Sequence, residues 1–177
     1  MIFYGILCRK VVQSGVKGWK VVNSYPFRVW REDRMFKGEY SHTIDAKGRV
    51  IVPAKFRDKL GEGSVVTKGF DGCLFVYPKE EWEKFEEKFS SLPLNNENVR
   101  KLARFFFASA AEFETDKQGR ALIPAGLRSH GKLEKDVVMV GVLNRIEIWS
   151  KDLWEGTNTY ENMEDIAEQL EELGLVL

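Results

Sequence analysis

The chain has 177 residues with 27 basic and 27 acidic side chains, so its net charge of zero does not by itself indicate a polyanionic partner. Hydrophobic residues make up 44% and charged residues 31%, the composition of a globular rather than a disordered protein. No run of about 18 apolar residues occurs, so no membrane-spanning segment is expected. Cys8 and Cys73 are far apart and near no histidine cluster, so we expect no disulfide, metal or cofactor, and a cytoplasmic location.

The first 34 residues differ in charge from the rest of the chain, with seven basic and two acidic side chains. Arg31-Glu32-Asp33 can be encoded by a purine-rich sequence of the kind that binds ribosomes, and Met35 follows closely. We therefore expect translation to start at Met35 and residues 1–34 to be a decoded leader. The alternative is a basic arm that binds phosphates.

One motif then occurs twice. Residues 40–57 and 111–128 share the order and spacing of their Asp, Gly, Arg, Pro and Ala residues and of a second Arg, at a constant offset of 71 residues. The matched pairs include Asp45 and Asp116, Gly48 and Gly119, Arg49 and Arg120, Pro53 and Pro124, and Arg57 and Arg128. Because a solenoid needs at least three repeats, two copies predict units at 35–109 and 110–177 that share one core about a pseudo-twofold axis.

Each unit predicts the same elements in the same order. In the first, an alternating strand at 40–44 leads into a turn at 45–48, and a second strand follows at 49–52. Pro53 and Pro124 are each expected at the first position of a short helix, where proline loses no hydrogen bond. Two short strands and an amphipathic helix complete each unit, and the first unit has an additional helix that ends in three phenylalanines.

Charge is unevenly distributed between these elements. Acidic residues are concentrated in the predicted helices at 79–88 and 161–172, whereas both copies of the motif are rich in Lys and Arg. If the turns gather on one side of the protein, a neutral chain acquires a basic face.

The Asp and Arg of the first turn predict a nucleic-acid contact. The Asp45 carboxylate can pair with Arg49 across the turn and hold the guanidinium in an orientation suited to a guanine edge or a phosphate. Lys47 at the tip can contact phosphate, and Gly48 allows close approach of the backbone.

The second turn keeps the Asp and the Arg but has a different tip, with Lys117-Gln118 in place of Ala46-Lys47. Equal participation of the two turns is therefore open. The alternative for both turns is an ion pair that only closes the turn, although exposed pairs contribute only about 0–1 kcal/mol to stability.

Phe36-Lys-Gly-Glu-Tyr40, the two Asp-x-x-x-Arg pairs and the proline after each resemble the MraZ family, bacterial transcriptional regulators of the AbrB superfamily, over roughly Met35 to Gly174. The resemblance implies an α+β fold of two tandem AbrB-like swapped-hairpin units that form a pseudo-twofold β-barrel with flanking helices. It also implies a ring-shaped homo-oligomer, associated with the nucleoid. Such a ring binds double-stranded DNA at direct repeats in the promoter of the division and cell-wall gene cluster, which includes its own gene.

The resemblance also assigns roles to residues of this chain. The first turn is then the principal base reader. The implied DNA-contacting residues are Lys47, Gly48, Arg49, Lys117 and Arg120, and the residues that shape the motif are Asp45, Asp116, Gly119, Pro53 and Pro124.

Two other classes of protein compete with a DNA-binding regulator. An enzyme is not expected, because the sequence has no Gly-x-Ser-x-Gly or His-Glu-x-x-His motif. An antitoxin-like AbrB-type DNA-binding protein is the alternative function. Its acidic, amphipathic tail at 161–177 would suit a toxin-binding segment and a helix in a ring interface equally well.

Overall fold

The computed structural model of the chain describes residues 35–159, 161 and 163–171. The expected leader or basic arm, residues 1–34, lies outside the described residues. The strands are β1 (Phe36–Thr43), β2 (Arg49–Ile51), β3 (Val65–Lys68), β4 (Leu74–Tyr77), β5 (Ala111–Glu112), β6 (Arg120–Leu122), β7 (Asp136–Leu143) and β8 (Arg145–Ser150). The helices are α1 (Ala54–Leu60), α2 (Lys79–Ser90), α3 (Glu97–Phe107), α4 (Ala125–His130), α5 (Lys151–Thr157) and α6 (Met163–Glu171). The predicted α+β class, the repeated order of elements and the additional helix α3 are confirmed.

The strands of the two copies are interleaved in one antiparallel sheet of order β1-β7-β8-β4-β3-β5. β1 of the first copy pairs with β7 of the second, and β5 of the second pairs with β3 of the first. β4 and β8 pair at the centre. Exchanging the copies maps this order onto itself, so a pseudo-twofold axis passes between β4 and β8. Each copy therefore supplies strands that complete the sheet of the other.

β2 and β6 form a separate two-stranded ribbon. Among the described residues, single bridges from Ile44 to Val50 and from Thr115 to Ala121 join this ribbon to the segments that follow β1 and β5. The six-stranded sheet is open, and the expected closed barrel is not confirmed. The physical reason is that β2 and β6 are each three residues long and pair with each other rather than with the edges of the large sheet.

The ribbon is attached to the main core through its inward face. Val50 and Ala121, which are paired across the ribbon, have no exposed surface. Phe56 of α1 and Leu127 of α4 are buried in the same cluster, at 1% and 2% exposure. Because successive strand residues point to opposite faces, the neighbours of Val50 and Ala121 in the ribbon are directed outward.

The long helices pack on a second, aromatic cluster. Trp82 of α2 and Phe106 of α3 are buried there with Phe75 and Tyr77 of β4. The phenylalanines at the end of α3 thus pack into the protein, against the aromatic side chains of α2 and β4. Among the described helices, none is both long enough and apolar enough to cross a bilayer.

The two prolines of the motif stand one position earlier than predicted. α1 and α4 begin at Ala54 and Ala125, and the prolines are the capping residues, with ψ of 139° at Pro53 and 144° at Pro124. The Pro53 carbonyl accepts the first helical hydrogen bonds, at 2.9 Å from the amide of Phe56 and 3.0 Å from that of Arg57. Proline fixes φ alone, so the extended ψ moves the helix start by one residue.

Candidate nucleic-acid interface

The first turn is organised by one carboxylate. Asp45 Oδ1 accepts hydrogen bonds from the backbone amides of Lys47 and Arg49, each at 2.9 Å. Asp45 Oδ2 accepts from Arg49 Nε at 2.8 Å and lies 2.6 Å from Arg49 Nη2. The same side chain therefore closes the turn and fixes the guanidinium of the arginine that begins β2.

The second turn reproduces this geometry despite its different tip. Asp116 Oδ1 accepts from the amides of Gln118 at 2.9 Å and Arg120 at 3.0 Å. Asp116 Oδ2 accepts from Arg120 Nε at 2.9 Å and lies 2.8 Å from Nη2. The tip sequence has no effect on these bonds, because the tip residue contributes only its backbone amide.

Both carboxylates are held in the ionised state. The side-chain hydrogen bond from Arg49, followed by the backbone hydrogen bond from the same residue, lowers the pKa of Asp45 to about 2. The pKa of Asp116 is also lowered to about 2, with the backbone hydrogen bond of Arg120 as the largest cause and its side-chain bond next. Each ion pair is thus intact over the whole neutral range.

The ion pair leaves part of each arginine available to a ligand. A guanidinium has five N–H donors, and the carboxylate occupies the side that carries Nε and Nη2. The outer edge formed by Nη1 and the second Nη2 hydrogen remains. The side chains of Arg49 and Arg120 are 26% and 28% exposed. Each arginine is therefore oriented but still accessible.

The ribbon places both arginines on one outward face. Across the ladder Arg49 lies opposite Leu122, and Ile51 lies opposite Arg120. Val50 and Ala121, between them, point into the core. The outward face of the ribbon therefore consists of two arginines and two apolar side chains in a pseudo-twofold arrangement.

The glycine of each turn is covered by an arginine from the other copy. Gly48 is buried, has a φ of +79°, and would bring an added Cβ to 2.6 Å from Cζ of Arg128. Gly119, with a φ of +75°, would bring one to 2.7 Å from Cζ of Arg57. The neighbouring arginines therefore explain, from within the chain, why both positions need glycine. Direct contact of Gly48 with DNA stays a prediction.

Arg57 and Arg128 were not assigned a role from the sequence. The repeat itself could have identified them as important, since they occupy matched positions of the motif. Arg128 Nη1 donates to the carbonyl oxygen of Ile123 at 2.5 Å, whereas Arg57 Nε is buried without a hydrogen-bond partner among the described residues. No local pattern could show that each arginine crosses to the turn of the other copy.

The surroundings of the ribbon carry positive charge that no carboxylate balances. Within the part of the chain that the structure describes, four basic residues near the two turns form no ion pair: Lys47, Lys117, Arg57 and Arg128. The lysines are exposed at the tips of the turns. The chain has no net charge, but this region has an excess of cations, as the distribution of charge predicted.

Two interleaved copies, each with an Asp–Arg turn, define a tandem-repeat α+β protein that displays a basic two-stranded ribbon. The family model of the MraZ protein, described as antitoxin-like, matches residues 35–105 and again 106–175. The chain therefore belongs to the MraZ family.

Curated relatives agree with this assignment. The chain is 62% identical over 141 residues to the transcriptional regulator MraZ of Lachnoclostridium phytofermentans, a match that covers 80% of this chain and 99% of the relative. It is 57% identical over 143 residues to the protein of the same name from a Thermoanaerobacter species, and 55% over 143 residues to that of Pediococcus pentosaceus. Both of these matches cover 80% of this chain and all of the relative.

Proposed function

We propose that the protein is a sequence-specific DNA-binding transcriptional regulator. The observation that carries the proposal is the ribbon, on which two arginines are each held by a carboxylate. An antiparallel ribbon of two strands fits the major groove, and an arginine that meets guanine there is the commonest specific contact. The names of the relatives, transcriptional regulator MraZ, support the same function.

The bases and the phosphates are contacted by different residues in this proposal. Arg49 and Arg120, whose orientation is fixed, read bases. Lys47 and Lys117 bind phosphates, because their charge is not balanced and their flexible side chains suit a point contact. Asp45 and Asp116 position the arginines and do not touch DNA.

The target and the assembly are part of the proposal. We infer binding to direct repeats in the promoter of the division and cell-wall gene cluster, including the protein's own gene, by a ring-shaped homo-oligomer at the nucleoid. A single ribbon contacts few phosphates, so useful affinity requires several subunits on spaced repeats. This part rests on membership of the family.

A footprint on the DNA immediately upstream of the protein's own coding region tests the function. We expect wild-type protein to protect spaced repeats, and Arg49→Ala combined with Arg120→Ala to abolish protection. Arg104→Ala removes an exposed arginine on α3 and is the matched control. Absence of protection by wild-type protein, or protection that survives loss of both ribbon arginines, would contradict the proposal.

An antitoxin-like protein is the second candidate function, favoured by the description of the family model. α6 has exposed apolar side chains, Met163 at 46% and Ile166 at 43%, on a helix that also carries Glu164, Asp165 and Glu168. Size-exclusion chromatography with light scattering separates the two candidates. A closed multimer supports the ring-forming regulator, and a small dimer supports the antitoxin.

A further inference from the structure

Two apolar side chains are exposed on the outward face of the basic ribbon, one at the end of each strand. Ile51 is 51% exposed and Leu122 is 55% exposed. Each lies directly across the ladder from an arginine, Ile51 from Arg120 and Leu122 from Arg49. They contribute nothing to the core, because Val50 and Ala121 alone fill the inward face of the ribbon. The ion pairs of the turns do not explain them either.

We propose that Ile51 and Leu122 are specificity-determining residues that contact the C5-methyl groups of thymines in the major groove. This inference rests on the proposed function and adds a second kind of base to the one that the arginines read. Thymine is the only base of unmodified DNA that presents a methyl group in that groove, and apolar side chains are its usual partners.

The charge around the ribbon favours DNA over an apolar protein surface as the occupant. Any partner that covers Ile51 and Leu122 also covers Arg49 and Arg120 on the same face. Burial of charged side chains against an apolar surface is costly unless new partners replace water. Phosphates and guanine edges provide such partners, and the unbalanced cations at both turns attract the same polyanion.

The strand spacing limits where the thymines should lie. Arg49 and Ile51 are two residues apart on β2, a distance of about 6.8 Å along the strand. This is about two base-pair steps at about 3.4 Å each. A thymine read by Ile51 should therefore lie within about two base pairs of a guanine read by an arginine of the ribbon. The same holds for Leu122 and Arg120 on β6.

The two apolar residues differ in shape, so their contributions can be separated. Ile51 is β-branched and stiff at χ1, whereas Leu122 branches one atom further out. The pseudo-twofold axis relates their positions but not their side chains. Each should therefore be responsible for its own thymine.

Deoxyuridine, which lacks only the methyl group of thymine, tests the proposal. Duplexes carrying the repeats from upstream of the coding region are prepared with each thymine replaced in turn, and binding is measured by fluorescence anisotropy. We expect two positions in each repeat at which replacement weakens wild-type binding by about fourfold, the effect of one buried methyl group. Ile51→Ala should remove the sensitivity at one of the two positions in every repeat, and Leu122→Ala at the other. Leu94→Ala, which truncates an exposed leucine in a loop, is the control and should remove neither.

The possible failures can be told apart. If wild-type protein prefers the repeats but no thymine matters, or the sensitivity persists in both alanine variants, this inference is wrong and the proposed function stands. If wild-type protein shows no preference for the repeats, both are wrong. If Ile51→Ala changes the size of the free multimer in light scattering, the apolar pair contacts a second copy of the chain, which overturns the inference.

Discussion

The guanidinium of Arg128 covers Gly48, a residue of the other copy of the motif, and so occupies the space that any side chain at that position would need. Arg57 and Gly119 form the matching contact on the other side of the pseudo-twofold axis. Each motif turn is therefore held by the helix of the other copy. The two copies are interlocked at the site that we propose for DNA, and not only through their sheet.

Replacing the turn glycines should destabilise the protein. Gly48→Ala and Gly119→Ala each add a Cβ that meets an arginine and place a side chain at a φ of +79° or +75°. We expect a loss of about 1–3 kcal/mol for each, measured by thermal or urea unfolding. In Gly126→Ala the new Cβ meets open space inside α4, so this control should stabilise by about 0.5–1 kcal/mol. Unchanged stability in both turn variants would show that the arginines move aside freely.

Removal of a ribbon arginine should reduce sequence preference without unfolding the protein. Arg49→Ala removes a partly exposed guanidinium and its bond to Asp45, so we expect a small drop in melting temperature and an unchanged multimer size. The preference for the repeats over scrambled DNA should fall by about 1–3 kcal/mol per contact. Because the second turn has the same hydrogen bonds, Arg120→Ala should behave in the same way. If a folded Arg49→Ala multimer keeps the full preference for the repeats, Arg49 does not contact the bases.

The turn lysines should act on all DNA sequences alike. Lys47→Ala and Lys117→Ala should each weaken binding to repeat and scrambled DNA by the same factor, because a phosphate contact carries no base information. A salt titration should show a slope reduced by about one counterion per subunit. Lys88→Ala, at an exposed position on α2, should leave the slope unchanged. A change in preference without a change in slope would mean that the lysines read bases.

The ion pairs of the turns predict a particular pH dependence. Hydrogen bonds from Arg49 and Arg120 hold the pKa of Asp45 and Asp116 at about 2, below the ordinary value of 3.8. A carboxylate with a lowered pKa contributes stability that is fully present above its ordinary pKa and is lost as the pH falls toward the lowered one. The difference in melting temperature between wild-type protein and Asp45→Asn should therefore be constant from neutral pH down to about pH 5. Below about pH 4 the two melting temperatures should approach each other. Convergence already at neutral pH would show that the pair does not form in solution.

The spacing of repeats should matter if several subunits engage one DNA molecule. Insertion of half a helical turn between two repeats places the second on the opposite side of the duplex. We expect binding to weaken by at least about tenfold, because the second contact loses its effective concentration. Insertion of a whole turn is the control and should weaken binding less. Equal affinity for both spacings would contradict a multivalent ring.

The sequence alone predicted the contacts between residues that are close together along the chain. Asp45 and Arg49 are four residues apart, and their ion pair follows from a tight turn whose residues are adjacent along the chain. The repeat predicted that a second turn would be built in the same way, which the bonds between Asp116 and Arg120 confirm. Even here the helix start was displaced by one residue, because proline fixes φ and leaves ψ to the surrounding structure.

Only the tertiary structure decided which strands and side chains of the two copies meet. The pairing of β2 with β6 joins residues about 70 positions apart, and it alone places Ile51 beside Arg120 on an accessible face. The contact of Arg128 with Gly48 has the same origin. Both copies have nearly the same local pattern, so the sequence cannot tell whether a strand pairs within its own copy or with the other. That choice depends on how both copies together bury one core, which is a property of the whole fold.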